Sequence, residues 1–389
     1  MDKMQICFFF HRFDGGGAER MTVILANELA RQGHEVSILI RHDKGPVKQL
    51  LDPTVHIFDM ELPEKGRFYK NLGNIYWLRQ MMRPGKFDIM LSVTAEMSQV
   101  AALATYALRP RIPLISVVHN TLSQEVHSFQ NVRECLFPVL NRRYNRVITV
   151  SEAVREDYIT LCHALPEQVI AVYNPIISRE FWKYAKTKPQ HPWLVDNRKF
   201  KVIVLAGRLC EAKNHALMLE TMKLLKQKGD YRLILLGNGE LREQLVEQTL
   251  RSGIDRIVDF AGFVPNPAAY FSKADVVALS SRFEGLPTVL VEALAVGAKV
   301  VSTDCPSGPR EILQNGKFGI LVEPGNPEAL ADGIIRALAW KPDREALRQR
   351  AFEFTEKRAA EEYLRVIRET IAQYAVGGKH VQKADTSLG

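Results

Sequence analysis

The sequence predicts two doubly wound α/β domains, and three observations carry that prediction. The chain has 389 residues, more than one hydrophobic core normally organises. Its halves repeat one rhythm of apolar strand, small-residue loop, amphipathic helix and apolar strand, starting near residue 4 and again near residue 201. Between them KYAKTKPQHPWLVDNRK is polar and holds two prolines, which places the boundary within residues 183–199. The expected division is residues 1–185, residues 186–355, a helix at 356–375 crossing back to the first domain, and a disordered tail at 376–389.

In the first half, residues 4–10 form an apolar strand, Gly15-Gly16-Gly17 a loop, residues 18–32 an amphipathic helix and residues 35–40 a second strand. Apolar strands also fit residues 89–93, 114–118 and 146–150, each followed by loop or helix signals, as a parallel sheet requires. The second half restarts at residue 201 with KVIVLAGRL, a helix over 215–227, the strand YRLILLG and a helix from about residue 240. Strands at 257–260, 275–280, 300–303 and 319–322 complete it, and a long helix is expected over 356–374. The following GGKHVQKADTSLG lacks the apolar content to pack. Sheets of this kind bind ligands beyond the carboxyl ends of their strands, so two of them imply a ligand cleft between the domains.

Composition narrows the function classes. No apolar run approaches the ~20 residues that cross a bilayer, and the opening MDKMQICFFFHRFDGGGAER has acidic and polar groups where a signal peptide has its apolar core. A cytoplasmic protein is expected. Five scattered cysteines without a CxxC pair read as thiols in a reducing compartment rather than as a zinc or redox site. The net charge is +8, and the window from Lys65 to Arg146, with twelve Lys/Arg against four acids, accounts for all of it. Such a concentration favours an anionic partner.

Three motifs carry chemistry. GGGAER follows a strand and opens a helix, where small residues admit a ligand and free N–H groups favour an anion. A tight turn alone is the open alternative. It is not GxGxxG, since Arg20 holds the third glycine's place, and Arg41 rather than an acid follows the second strand, which weakens a nicotinamide reading. GRLCEAKNH, residues 207–215, sets Arg208 and Lys213 in one loop at a strand end, where two cations can neutralise a diphosphate leaving group. In RFEGLPTVLVE, residues 282–292, Pro287 suits the first helical position and the apolar run after it makes a buried helix. Glu284 precedes that helix, whereas Glu292 lies one turn inside it on the side of Thr288. A carboxylate accepts two hydroxyls of a vicinal diol, so one acid can hold a ribose and the other a sugar, with a diphosphate on the helix start between them. A capping charge at Glu284 and a surface ion pair at Glu292 are the plain alternatives, but an acid in an apolar helix is costly without a partner.

With these motifs the sequence resembles the retaining GT-B glycosyltransferases that use nucleotide sugars and carry an E-x7-E motif, here Glu284 to Glu292. The match runs through GGGAER, VVHN, VSEAV, VYNPI, GRLCEAKN, LLGNGE, FAGFV, FEGLPTVLVEALAVG and CPSGPREIL, in that order. GGGAER and CPSGPREIL are most similar to bacterial enzymes of surface-polysaccharide assembly, of O-antigen, capsule or exopolysaccharide type. The resemblance implies two Rossmann-like domains facing a central cleft, the first binding acceptor and the second the nucleotide sugar. It implies that Glu292 binds the ribose, that Glu284 contacts the transferred sugar, and that Arg208 and Lys213 hold the diphosphate. Backbone groups at Gly285, Leu286, Pro287 and Thr288 and the loop at Gly16 and Gly17 assist. Phe263 falls where the family's backbone contacts the base, Asn238 and Gly239 flank the nucleotide, and His119 contacts the sugar near the anomeric carbon. No metal and no cofactor beyond the UDP-sugar donor are expected, since no DxD-type motif stands at a strand end, and retention of configuration is expected.

FYKNLGNIYWLRQMMR, residues 68–83, sets Trp77 and other apolar groups among Lys70, Arg79 and Arg83, a composition suited to a helix on an anionic lipid surface, and LFPVLNRRYNR repeats it with Arg142 and Arg143. Packing on the protein's own sheet is the alternative. A lipid-linked glycan acceptor and a peripheral place on the inner face of the cytoplasmic membrane follow. The competing readings are a nicotinamide-dependent oxidoreductase and a nucleic-acid-binding protein; neither a dinucleotide fingerprint nor a nucleic-acid motif is present, and nucleic acid is not an expected partner.

Overall fold

The computed structural model of the chain describes residues 3–14, 16–60, 67–83, 85–106, 112–125 and 139–385, and their side chains except those of residues 67–72, 74, 124–125 and 377–385. Its strands form two wholly parallel sheets. In the first, β1 (Gln5–Arg12), β2 (Glu35–His42), β3 (His56–Asp59), β4 (Ile89–Val93), β5 (Leu114–Val118), β6 (Arg146–Thr149) and β7 (Val169–Ala171) lie in the order β3-β2-β1-β4-β5-β6-β7. In the second, β8 (Lys201–Ala206), β9 (Tyr231–Leu236), β10 (Val258–Gly262), β11 (Val276–Leu279), β12 (Val300–Thr303) and β13 (Ile320–Val322) lie in the order β10-β9-β8-β11-β12-β13. These are the two doubly wound α/β halves of the sequence reading.

Continuous apolar runs build the sheets. Ile6 to Phe10 of β1 and all of β4 and β5 are buried, as strands covered by helices on both faces must be. The sequence reading passed over β3 and β7, whose three or four residues, HIFD and VIA, sit at the sheet's two edges, too short for a periodic signal. On the first sheet, helices Gly17–Arg31 and Glu356–Asp385 add Val23, Leu25, Tyr363, Leu364 and Ile367 to a core with Phe8, Ile38 and Leu91. On the second, helices His215–Lys228 and Pro327–Ala339 add Met218, Met222, Leu330 and Ile334 to Ile203, Leu233 and Val301.

Packing divides the chain into two compact units: the described residues up to Pro175 with those from Glu356 on, and Ile176–Thr355. Residues 176–185, expected with the first half, therefore count with the second. There Ile177 N–H donates to the Phe354 carbonyl at 3.0 Å, the Trp182 ring lies 5.9 Å from that of Phe352, and Asn266 donates to the Tyr184 carbonyl at 2.7 Å. The polar stretch after it misled because polarity reports exposure rather than where contacts change hands. It runs over the second unit, with His191 on Asp259 at 3.0 Å and Arg198 on Asp275 at 2.7 Å. The last helix joins the first unit through its apolar face and through Arg31, whose two Nη atoms each lie 3.4 Å from a Glu356 carboxylate oxygen. It runs to Asp385, through residues expected to form a tail; a glycine pair lowers propensity by about 1 kcal/mol each without ending a helix already nucleated.

In each sheet the strand order reverses beside the first strand, between β1 and β4 and between β8 and β11. The loops leaving those strands part to opposite sides and open a crevice at their carboxyl ends.

Candidate functional site

The crevice of the second unit gathers the residues that the sequence singled out. β8 delivers a loop whose short turn Glu211–Lys213 ends on Asn214 at φ 48°, and β11 delivers the loop that leads to Glu284. Backbone bonds lock the two loops: Arg282 N–H donates to the Ala212 carbonyl at 2.8 Å and Ser280 Oγ to the Lys213 carbonyl at 2.9 Å. In that frame the Lys213 ammonium donates to both carboxylate oxygens of Glu284, at 2.6 and 2.8 Å, and Ser281 Oγ donates to Oε1 at 2.5 Å. Glu284 is 8% exposed, so its charge is satisfied inside the protein rather than by water. The Lys213 stem runs past Gly207, where a Cβ would lie 3.5 Å from its Cγ. Cys305 packs beside this pair, and burial, together with the Glu284 charge, pushes its thiol up to about 12.

The CPSGP loop after β12 seals the other side. Ser307 Oγ donates to the Glu284 carbonyl and Glu284 N–H to the Pro306 carbonyl at 3.3 Å. Gly308 sits at φ +88°, and a Cβ there would stand 2.4 Å from Pro287 Cδ, so glycine is demanded twice, by dihedral angle and by space. The helix that follows Glu284 spans Thr288–Ala295; Pro287, expected from sequence at the first helical position, is instead its cap, with ψ at 102° just before the helical turn. Leu290, Val291, Ala293 and Leu294 are fully buried, which explains the apolar run. Glu292, one turn after Thr288, is 6% exposed, and Gly285, Leu286 and Pro287 are buried at the helix entrance. The first N–H groups of such a helix lack partners four residues back and present partial positive charge.

Three further loops interlock at the ends of β8, β9 and β10. Leu209 N–H donates to the Asn238 carbonyl at 3.0 Å and Gly237 N–H to the Gly262 carbonyl at 2.7 Å, while a Cβ on Gly239 would lie 2.3 Å from the Leu209 carbonyl oxygen. Asn238 is exposed, and Phe263, 74% exposed, offers an open aromatic face beside them. Arg208 has a partner of its own that the sequence reading did not name. Its guanidinium, 73% exposed, pairs with Glu240 at 3.2 Å, whereas the Lys213 ammonium pairs with Glu284 at 2.6 Å. The β9 loop brings Glu240 next to Arg208, which sequence spacing could not reveal.

In the first unit, Gly16 caps helix Gly17–Arg31, and the Glu19 carboxylate folds over it, so that a Cβ at Gly16 would meet Glu19 Oε2 at 2.3 Å; Gly17 is open. His119 follows β5 and lines a small cavity with Thr22, Asn174 and Tyr363. Its Nε2 is buried without a hydrogen-bond partner among the described residues, and burial pulls its pKa down to about 4, which keeps the ring neutral near pH 7. Of the basic window, helix Arg67–Met81 buries Leu78, leaves Trp77 and Arg79 half-buried and Tyr76 68% exposed, with Arg83 exposed just beyond. The Lys70 side chain lies outside the described residues, as do residues 136–138 of the second basic segment. Arg142 is exposed, and the Arg143 guanidinium stacks 3.4 Å from the centre of the Tyr106 ring.

Sequence reasoning missed Ser280, Ser281 and Ser307. The only signal was a pair of serines closing an apolar strand just before the first acid of the motif.

The profile "Glycosyl transferases group 1" matches residues 188–354 and "Glycosyltransferase Family 4" matches residues 15–179. The chain is 26% identical over 357 residues, 90% of itself and 94% of the relative, to the N-acetylgalactosamine-N,N'-diacetylbacillosaminyl-diphospho-undecaprenol 4-alpha-N-acetylgalactosaminyltransferase of Campylobacter jejuni. A second Campylobacter jejuni enzyme, a GalNAc-alpha-(1->4)-GalNAc-alpha-(1->3)-diNAcBac-PP-undecaprenol alpha-1,4-N-acetyl-D-galactosaminyltransferase, is 28% identical over 94% of this chain and 99% of its own. Anabaena HepE, solved in complex with UDP, shares the fold at a TM-score of 0.75 and 23% identity, covering 94% of this chain and all of that one. Its two parallel-sheet units and consecutive family matches make the chain a member of the group 1 glycosyltransferases of GT-B fold, and a hexosyltransferase.

Proposed function

We propose that the protein moves a hexose or N-acetylhexosamine, of galactose, N-acetylgalactosamine or glucose type, from a UDP-sugar to a lipid-linked glycan in surface-polysaccharide assembly. The observation that carries the donor reading is the Lys213–Glu284 pair at the entrance of the helix that buries Glu292. An ammonium and the N–H groups of a helix start suit a diphosphate, and two buried carboxylates suit hydroxyls on either side of it. Glu292 takes the ribose diol, Glu284 the transferred sugar, Phe263 and the Asn238–Gly239 loop the base. Arg208, exposed at the surface, turns from Glu240 to the phosphates. The names of the two Campylobacter relatives, both N-acetylgalactosaminyltransferases acting on undecaprenol diphosphate-linked sugars, support the acceptor class, and the UDP in the HepE structure supports the nucleotide.

Transfer runs with retention and without a metal. The acceptor oxygen bonds to the anomeric carbon on the face that UDP leaves, the bond from that carbon to the phosphate oxygen breaks, and the hydroxyl proton passes to the departing phosphate. Lys213, Arg208 and the helix start balance the charge that gathers on the leaving group. The role implied for His119, a hydrogen bond to the sugar, asks for a neutral ring, which burial supplies. No helix among the described residues is long and apolar enough to cross a membrane. Helix Arg67–Met81 and Arg142 and Arg143 rest on the anionic inner face of the cytoplasmic membrane. Hydrolysis assays over a panel of UDP-sugars, followed by mass spectrometry of a polyprenyl-diphosphate glycan incubated with the accepted donor, test the proposal. No turnover of any UDP-sugar would refute it.

A further inference from the structure

Two serines, Ser280 and Ser281, follow β11, and each holds one half of the Lys213–Glu284 pair. Ser280 donates to the Lys213 carbonyl, fixing the origin of the lysine; Ser281 donates to Glu284 Oε1, fixing the carboxylate. Both serines are essentially unexposed. The Ser281 carbonyl in turn accepts the Thr303 hydroxyl at 2.7 Å, so the residue that grips Glu284 is itself anchored to the end of β12. A carboxylate oxygen accepts about two hydrogen bonds. Oε1 receives Ser281 and Lys213 and is filled, whereas Oε2 receives Lys213 alone, at 2.8 Å, and keeps a free lone pair.

We infer that Ser281 is a positioning residue for sugar transfer: its hydroxyl holds Glu284 so that Oε2 is presented to the sugar, and keeps holding it when the donor's diphosphate draws the Lys213 ammonium away. This rests on the donor reading given above. In the ligand-free protein the carboxylate has two anchors. A diphosphate carries more charge than a carboxylate and competes for the ammonium. Once Lys213 turns to it, Ser281 is the anchor left to the carboxylate among the described residues. Ser281 is therefore dispensable for the empty protein and needed in the loaded one. Ser280 serves the same end from the backbone side, since its bond sets where the lysine starts.

The test is steady-state kinetics of Ser281→Ala with the accepted UDP-sugar, beside Glu284→Ala and the double variant. The expected result is a kcat lower by roughly 10- to 100-fold, the usual cost of one hydrogen bond to a charged group, with donor KM and melting temperature within about twofold and a few degrees of wild type. Ser281→Thr, which keeps the hydroxyl, should recover most of the kcat. The double variant should be no slower than Glu284→Ala, because the serine acts through the glutamate. Wild-type kcat in Ser281→Ala while Glu284→Ala is inactive would overturn the inference and leave the donor reading standing, as would fully additive losses in the double variant. Wild-type kcat in Glu284→Ala would overturn both.

Discussion

Glu292 has no reason to be inside an apolar helix unless something polar meets it. It is 6% exposed beside residues that are fully buried, and a ribose diol would give its carboxylate two hydroxyl donors. We expect Glu292→Ala to weaken UDP binding by roughly 10- to 100-fold, read by calorimetry, in a protein that still folds. Unchanged affinity would remove the ribose assignment. His215 is the opposite kind of residue. Its ring is 1% exposed, neither nitrogen has a partner among the described residues, and burial, with the neighbouring Lys213 charge, lowers its pKa to about 4. Its folded value lies below the ordinary 6.5, so the unfolded chain binds the extra proton. Its contribution is complete above about pH 6.5 and is lost as pH falls toward 4. His119, also near 4, acts in the same direction. Replacing His215 with Phe should flatten the loss of melting temperature between pH 7 and 5; an unchanged slope would mean that the ring is already charged in the fold.

Glycine and the basic helix decide matters at the level of elements. The CPSGP loop can lie against the helix entrance because residue 308 has no Cβ and tolerates φ +88°. We expect Gly308→Ala to destabilise the protein by about 1–3 kcal/mol in urea titration and to weaken UDP binding as well, since Pro287 and the Glu284 loop must shift. A stable variant with normal binding would show the close approach to be dispensable. For helix Arg67–Met81 and the residues after it, the proposed lipid contact is electrostatic, worth roughly 1 kcal/mol per basic residue. Reversing Lys70, Arg79 and Arg83 to Glu should abolish flotation with anionic vesicles. Retained flotation would assign that helix to packing alone, the role that buried Leu78 already fills.

At the level of the whole molecule, the last helix is the distinctive connection. Its Ala360, Tyr363, Leu364, Val366 and Ile367 complete the core of a sheet built by residues before Pro175. A chain cut after Thr355 should therefore lose cooperative unfolding of its first unit, because Leu364, Val366 and Ile367 alone, at about 1.5–3 kcal/mol each, amount to a large part of what a domain has to spare. Residues 176–355 produced alone carry every donor contact proposed for the second unit and should still bind UDP, at reduced affinity. A folded fragment with no measurable binding would place the decisive contacts elsewhere.

Periodicity is local, and so the sequence by itself determined the alternation of strands and helices, the parallel sheets, and the loops that bear Lys213, Glu284 and Glu292. Chains of apolar residues bounded by glycine and proline can be read one turn at a time, and the ordered motifs fixed the family. Edge strands of three or four residues escaped because they carry too few periods. The boundary near residue 176 escaped because polarity marks exposure, not allegiance. Which side chains meet was decided by tertiary structure alone. Lys213 and Glu284 are 71 residues apart, Arg208 finds Glu240 on the loop after the neighbouring strand, and Ser280 reaches the Lys213 carbonyl only because two loops leave adjacent strands at a switch point. A contact of that kind depends on the register of β8 beside β11, and register is a property of the folded sheet that no local pattern encodes.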